Sequence, residues 1–169
     1  LQAAVNGAFA NIAHNNYWGR EFTIALMLRD DMSDIGDRTT QAARIDVIQG
    51  GTQTTIQDFS GRTGYWQVGV PPSGAFDSRS FRLGNQLLQN DQTAAGLEIT
   101  LQGPTLKFSC ATKVIITGAM IDAKLDGNPL ALNQIIQINQ GEVLQLGRIS
   151  DKGARSYLCV AGGIQCPEY

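Results

Sequence analysis

Through much of the chain from Ile45 onward, apolar and polar side chains alternate in short bursts separated by glycine, proline and asparagine. Residues 44–48, 97–101 and 106–108 repeat with a period of two, the pattern of a strand with one buried face. Residues 113–117 form a continuous apolar run bounded by turn residues, which predicts a strand lying centrally in its sheet. Residues 123–125 and 130–132 flank Asp126-Gly127-Asn128-Pro129, and Asp-Gly supplies the positive-φ pair that a tight hairpin requires. Residues 134–138 and 143–146 read as a second pair across Gln140-Gly141, and residues 157–160 as a final strand. One helix interrupts the strands. Asp77 and Ser78 can cap its start, Phe81, Leu87 and Leu88 recur at helical spacing, and Asn90 can close it. Gly84 lowers helix propensity but permits close packing on a sheet. Many short strands with one conspicuous helix predict a closed or nearly closed β-barrel.

Residues 1–42 differ. Residues 1–13 are rich in Ala and Asn and read as helical, 24–28 are apolar, and 29–40 are charged and turn-like. The shift in composition at residues 39–42 predicts an N-terminal extension or linker over 1–42, followed by one domain over 43–169.

With 169 residues the chain can bury one core. Its 13 Lys and Arg stand against 15 Asp and Glu, which leaves no positive excess for a nucleic-acid surface. The apolar run 24–28 is too short to cross a bilayer, and no basic segment followed by an apolar stretch marks a signal peptide. Cys110, Cys159 and Cys166 are odd in number and lack a Cys-x-x-Cys spacing; two lie in strand-like text, so free buried thiols and a reducing, cytoplasmic setting are expected. His14 is the sole histidine, which excludes a multi-histidine metal site and argues against a His-based triad.

A family pattern runs through these blocks. It comprises Gly51-Thr52-Gln53-Thr54-Thr55 with Gln57-Asp58, Gly61-Arg62, the Val70-Pro71-Pro72-Ser73-Gly74 loop with Asp77, and Phe81-Arg82-Leu83-Gly84-Asn85. It continues through Gly96-Leu97-Glu98-Ile99-Thr100-Leu101, Gly103-Pro104, Thr117-Gly118-Ala119 and Leu125-Asp126-Gly127 to Arg155-Ser156-Tyr157-Leu158 and Ala161-Gly162-Gly163-Ile164. In these blocks the chain resembles the carboxyltransferase region of biotin-dependent urea carboxylase, often fused into urea amidolyase. The wider family holds the allophanate hydrolase subunit 2-like proteins and the C component of bacterial 5-oxoprolinase. Residues 65–74 look more like the urea carboxylase branch. The chain departs from the family pattern at Ala75-Phe76, where Pro-Met is expected, and at Ser60, where Pro is expected. The sequence also breaks off at Tyr169, where the family pattern continues.

The resemblance implies a mainly β fold: a cyclophilin-like β-barrel, here incomplete, with one prominent helix and a partly helical N-terminal segment before it. It implies transfer of a carboxyl group from carboxybiotin to urea, giving allophanate. With no Gly-rich ATP loop and no Met-Lys-Met attachment site in the sequence, biotin would arrive on a separate carrier domain, and ATP would be used at a separate biotin carboxylase domain. Urea is a poor nucleophile, so the site needs an acceptor at the attacking nitrogen and donors for the carboxyl oxygens. Asp58 and Arg62, four apart about a glycine turn, and Glu98 are the catalytic candidates. Gln57, Pro72, Ser73, Gly74, Asp77, Arg82, Asn85 and Arg155 are the substrate-binding candidates. Each has a plainer alternative. Asp58 and Arg62 could pin the turn as an ion pair, Asp77 could simply cap the helix, and Arg82 could be solvated. Glu98 points away from Leu97 and Ile99 and could face solvent, with Arg155 as a cross-strand partner. Tyr65-Trp66 could stack on a flat ureido ring or complete the core. Backbone N–H groups near Ser78 could receive an anionic oxygen.

Two other functions stay open on the sequence. One is a 5-oxoprolinase-type subunit acting with a sister subunit; the other is a non-enzymatic regulatory barrel that binds a protein such as a histidine kinase. A half-built barrel leaves strand edges open, so the chain alone is expected to be catalytically silent, and homo-oligomer formation stays undecided.

Overall fold

The computed structural model describes residues 22–25, 43–61, 64, 66–69, 73–150 and 152–165. Among the described residues eleven strands and one α-helix follow in order: β1 (Phe22–Ala25), β2 (Arg44–Gln49), β3 (Gln53–Gln57), α1 (Ser78–Leu87), β4 (Gly96–Thr100), β5 (Thr105–Phe108), β6 (Thr112–Gly118), β7 (Ile121–Leu125), β8 (Asn128–Pro129), β9 (Ile136–Ile138), β10 (Val143–Ile149) and β11 (Arg155–Val160). A 3₁₀ turn spans Trp66–Val68. All pairings are antiparallel. One sheet runs β1-β2-β5-β10-β7-β8 and the other β3-β4-β11-β6-β9. Among the described residues neither sheet closes on itself, so the architecture is the incomplete barrel expected rather than a closed one.

Alternation explains the layers. Ile45, Val47, Leu106, Phe108, Leu144 and Leu146 from the first sheet share one core cluster with Leu97, Ile99, Val114, Ile116, Leu158 and Val160 from the second. The second sheet has a further buried face. Ile115, Tyr157 and Cys159 pack with Phe81 and Leu88 from the helix side. Strands β6 and β11 are thus covered on both sides, which is why residues 113–117 read as a continuous apolar run instead of an alternating one.

The Asp126-Gly127 turn forms as expected. Both residues have positive φ (47° and 82°), and Leu125 pairs with Asn128 across it. Its second arm is only Asn128–Pro129; residues 130–132 are not a strand. The expected pairing of 134–138 with 143–146 does not occur. Strand β9 pairs with β6 in one sheet and β10 with β5 and β7 in the other, so the turn at 139–142 carries the chain between sheets. Strand β1, from the segment expected as an extension, pairs with β2. The expected helix at 1–13 and the boundary at 39–42 lie outside the described residues.

The buried face of α1 is Phe81, Gly84 and Asn85, with Leu88 just beyond; Leu87 is exposed, contrary to its expected place on that face. Thr117 Oγ1 donates to Ser80 O at 2.8 Å, holding the helix on β6. Gln89 takes the left-handed φ of 56° after the helix, a role expected of Asn90. Asn90 instead ties the helix end to β11: its Nδ2 donates to Asn85 Oδ1 at 2.9 Å and Val160 O at 2.7 Å.

A methyl at Gly84 would favour the helix by about 1 kcal/mol, but it would meet Cys159 Sγ at 2.8 Å and Thr117 Oγ1 at 3.3 Å. Overpacking of about 1–3 kcal/mol outweighs that gain. Gly84→Ala is therefore expected to lower the denaturant midpoint, and combining it with Cys159→Ala to cost less than the two single losses together. Strictly additive losses would contradict the packing described.

Candidate functional site

Residues 73–77 lead into α1 and are fixed from two directions. On one side the turn at 58–61 is closed by Gly61 N–H donating to Asp58 Oδ1 at 2.7 Å. Gly61 has φ of 63°, and a Cβ there would overlap the Ser73 carbonyl oxygen, so glycine is required for both conformation and space. Between this turn and the helix entrance lies an open cleft of about 340 Å³, lined by Phe59, Ser73, Gly74, Ala75, Phe76 and Ser78. Phe59 and Phe76 are exposed and each carries a guanidinium over its ring, Arg82 at 4.7 Å from the Phe59 centroid and Arg155 at 5.2 Å from that of Phe76.

On the other side the segment is tied to the sheet. Glu98, only 9% exposed, accepts from Phe76 N–H at 2.7 Å and from the Tyr157 hydroxyl at 2.9 Å, both at Oε2. Tyr157 Oη in turn accepts from Asp77 N–H at 2.7 Å. Arg155 Nε stands 3.4 Å from Glu98 Oε1, close enough for an ion pair but making no hydrogen bond. In the β4–β11 register Tyr157 is directly opposite Glu98 and Arg155 opposite Thr100, so the expected Arg155–Glu98 contact is diagonal. Burial first, then the neighbouring Glu98 charge, push the Tyr157 phenol well above its ordinary range, against the Asp77 N–H, which favours the phenolate. Tyr157 stays a protonated donor at neutral pH.

The expected site residues therefore divide. Ser73 and Gly74 line the cleft, and Asp77 caps the helix, accepting from Ser80 N–H at 3.1 Å and from the Ser80 hydroxyl at 2.6 Å. Asp58 supports the adjoining turn, and Gln57 Nε2 donates to Thr55 Oγ1 at 3.1 Å on β3. Glu98 and Arg155 are together, but Glu98 is buried instead of facing solvent. Arg82 and Asn85 both border a second cleft of about 370 Å³ along the helix, although Asn85 is buried and donates to Ala94 O at 2.9 Å. Arg62, Pro72, Tyr65 and Cys166 lie outside the described residues. Trp66 is 71% exposed and so does not complete the core. Of the N–H groups near Ser78 that could receive an anionic oxygen, those of Phe76, Asp77 and Ser80 already serve Glu98, Tyr157 and Asp77. Tyr157 and Phe76 were not among the expected site residues. The two-residue step from Arg155 to Tyr157, which puts both on one face of β11, was the available signal.

Cys110 and Cys159 are free, and burial pushes the Cys159 thiol up to about 12, an inert thiol inside the fold. Among the described residues no group of three or more His, Cys, Asp or Glu could hold a metal, and no helix is long and apolar enough to cross a membrane.

Among the described residues, two unclosed antiparallel sheets, one outer helix and a cleft at the helix entrance define a mainly β domain. The chain belongs to the family described as carboxyltransferase domain, subdomain A and B, which matches residues 68–169. It is 44% identical over 124 residues to a urea amidolyase of Lachancea kluyveri, covering 73% of this chain and 7% of that protein. It is 40% identical over 123 residues to the C component of 5-oxoprolinase from Escherichia coli, covering 73% and 39%. The crystal structure of the Kluyveromyces lactis urea carboxylase superposes with a TM-score of 0.71 at 42% identity, over 74% of this chain and 11% of that one. The chain thus spans less than half the length of each of these relatives.

The Ser80 hydroxyl and N–H hold the Asp77 carboxyl below its ordinary 3.8. A depressed folded value means that the cap contributes stability above the unfolded pKa and loses it as pH falls through the folded one. Asp77→Ala should cost about 1 kcal/mol at neutral pH, with the gap to the unsubstituted chain narrowing below pH 3.8 in denaturant titrations. A gap that stays constant down to about pH 2 would contradict the role assigned to the ionised cap.

Proposed function

We propose that the chain is the first part of the carboxyltransferase domain of a biotin-dependent urea carboxylase, which carboxylates urea to allophanate. The observation that carries this reading is the 44% identity to a urea amidolyase along 73% of the chain. The cleft at the helix entrance has the chemistry the reaction needs. Phe59 and Phe76 offer apolar walls for a flat ureido group, and the Ser73 and Ser78 hydroxyls offer donors for carboxyl oxygens. Carboxybiotin, delivered by a separate carrier domain after ATP-driven loading at a biotin carboxylase domain, supplies an activated carboxyl group. Ser73, Ser78 and the two phenyl rings would hold it, with Gly74 permitting close backbone approach. The guanidiniums of Arg82 and Arg155 behind the rings add positive potential near the carboxyl. Asp58 and Gln57, beside the same loop, are candidates for accepting from a urea nitrogen, and Arg62 and Pro72 belong to the same stretch of sequence. The domain brings the two reactants together, while the donor group comes from outside; this chain alone, with its unclosed sheets, is catalytically silent. A cytoplasmic enzyme accords with the free thiols.

The test is the full-length gene product given ATP, bicarbonate, urea and its biotin carrier. Urea-dependent ADP release with formation of allophanate is expected, abolished by avidin. ATP-dependent conversion of 5-oxoproline with a sister subunit, without urea carboxylation, would overturn the reading in favour of the 5-oxoprolinase type. Neither activity, with a tight protein complex, would favour a regulatory domain.

A further inference from the structure

We infer that Glu98, together with Tyr157, is a positioning residue that holds the Phe76–Asp77 backbone as one wall of the cleft, and is not the base of the reaction. The inference deepens the carboxyltransferase reading at the same site and rests on it for its kinetic half. Three observations converge. Phe76 is 80% exposed, so burial cannot fix its place. Its N–H nevertheless points inward at 2.7 Å from a buried carboxylate, and the next N–H, of Asp77, is taken at 2.7 Å by Tyr157 Oη. The outward ring is met by the Arg155 guanidinium, which also faces Glu98 Oε1 at 3.4 Å. One buried acid and two residues of β11 thus hold both the backbone and the ring of a segment whose apolar packing on the helix-side cluster comes from Ala75 and not from Phe76.

A general base must reach the proton it takes. Glu98 does not line the cleft, and its Oε2 is already shared by a hydroxyl and an amide donor. Tyr157 lies in the layer of Phe81, 5.7 Å between ring centroids, so its hydroxyl is set by helix packing before any ligand arrives. The contacts form a line from the packed helix through Tyr157 and Glu98 to the cleft wall.

The test compares the full-length protein with Glu98→Gln and Tyr157→Phe, two near-isosteric changes. Hydrogen exchange of the peptide spanning residues 73–80 should quicken in both, about tenfold or more in Glu98→Gln, which removes a charged acceptor, and about two- to tenfold in Tyr157→Phe, which removes a neutral one, while the β6 peptide stays unchanged. Urea-dependent kcat/KM should fall about 10–100-fold with the limbs of the pH profile in place. Unchanged exchange in both variants overturns the anchor. Faster exchange with wild-type urea kinetics overturns the positioning role and leaves a structural one. Loss of turnover in Glu98→Gln alone, with a vanished basic-group limb and unchanged exchange, makes Glu98 the base. A wild-type protein that does not carboxylate urea refutes the functional reading by itself, because the exchange comparison decides the anchor without turnover.

Discussion

A buried carboxylate must find donors, and where Glu98 finds them sets the shape of the cleft at the helix entrance. Leaving an acid unsatisfied inside a sheet costs several kcal/mol, so the strand that carries Glu98 can persist only with partners in reach. One is the hydroxyl of Tyr157 directly across the strand pair, another the N–H of Phe76 in the loop before α1, and a third the diagonal Arg155 charge. Satisfying the acid therefore draws that loop onto the sheet. The cleft beside it is a consequence of the same contacts.

That arrangement depends on the second sheet being covered twice. Leu158 and Val160 face the inter-sheet core, while Tyr157 and Cys159 face the helix side. The helix can come close because Gly84 has no side chain over Cys159, and its start is set by the Asp77 cap immediately after the loop. The loop is consequently bounded at one end by a helix cap, at the other by the glycine contact between Gly61 and Ser73, and in the middle by Glu98.

Local chemistry made some of this legible from residues alone. The Asp126-Gly127 turn and the Asp77 cap follow from interactions within a few positions, and both appear in the fold; the alternation expected over 97–101 holds for the inward Leu97 and Ile99 but fails at Leu101, which is exposed beyond the end of β4 with φ of 62°. The placement of β9 and β10 in different sheets was not legible, because alternation says which face a strand buries but not which strand it meets. Leu87 was assigned to the buried face by hydrophobicity, whereas the close helix–sheet approach selected the small and amide residues Gly84 and Asn85. Glu98 was recognisable as pointing away from the core of 97 and 99. Its partner Tyr157 was hidden, since the two residues stand 59 positions apart and meet only through β4–β11 register.

The central claim is that Glu98 and Tyr157 act as one unit, and a double-mutant cycle measures it most directly. Unfolding free energies of the chain with Glu98→Gln, Tyr157→Phe and both changes should show a coupling of about 0.5–3 kcal/mol, as expected for residues in one buried hydrogen-bond network. Losses that add to within about 0.5 kcal/mol, the behaviour of independent sites, would contradict the account.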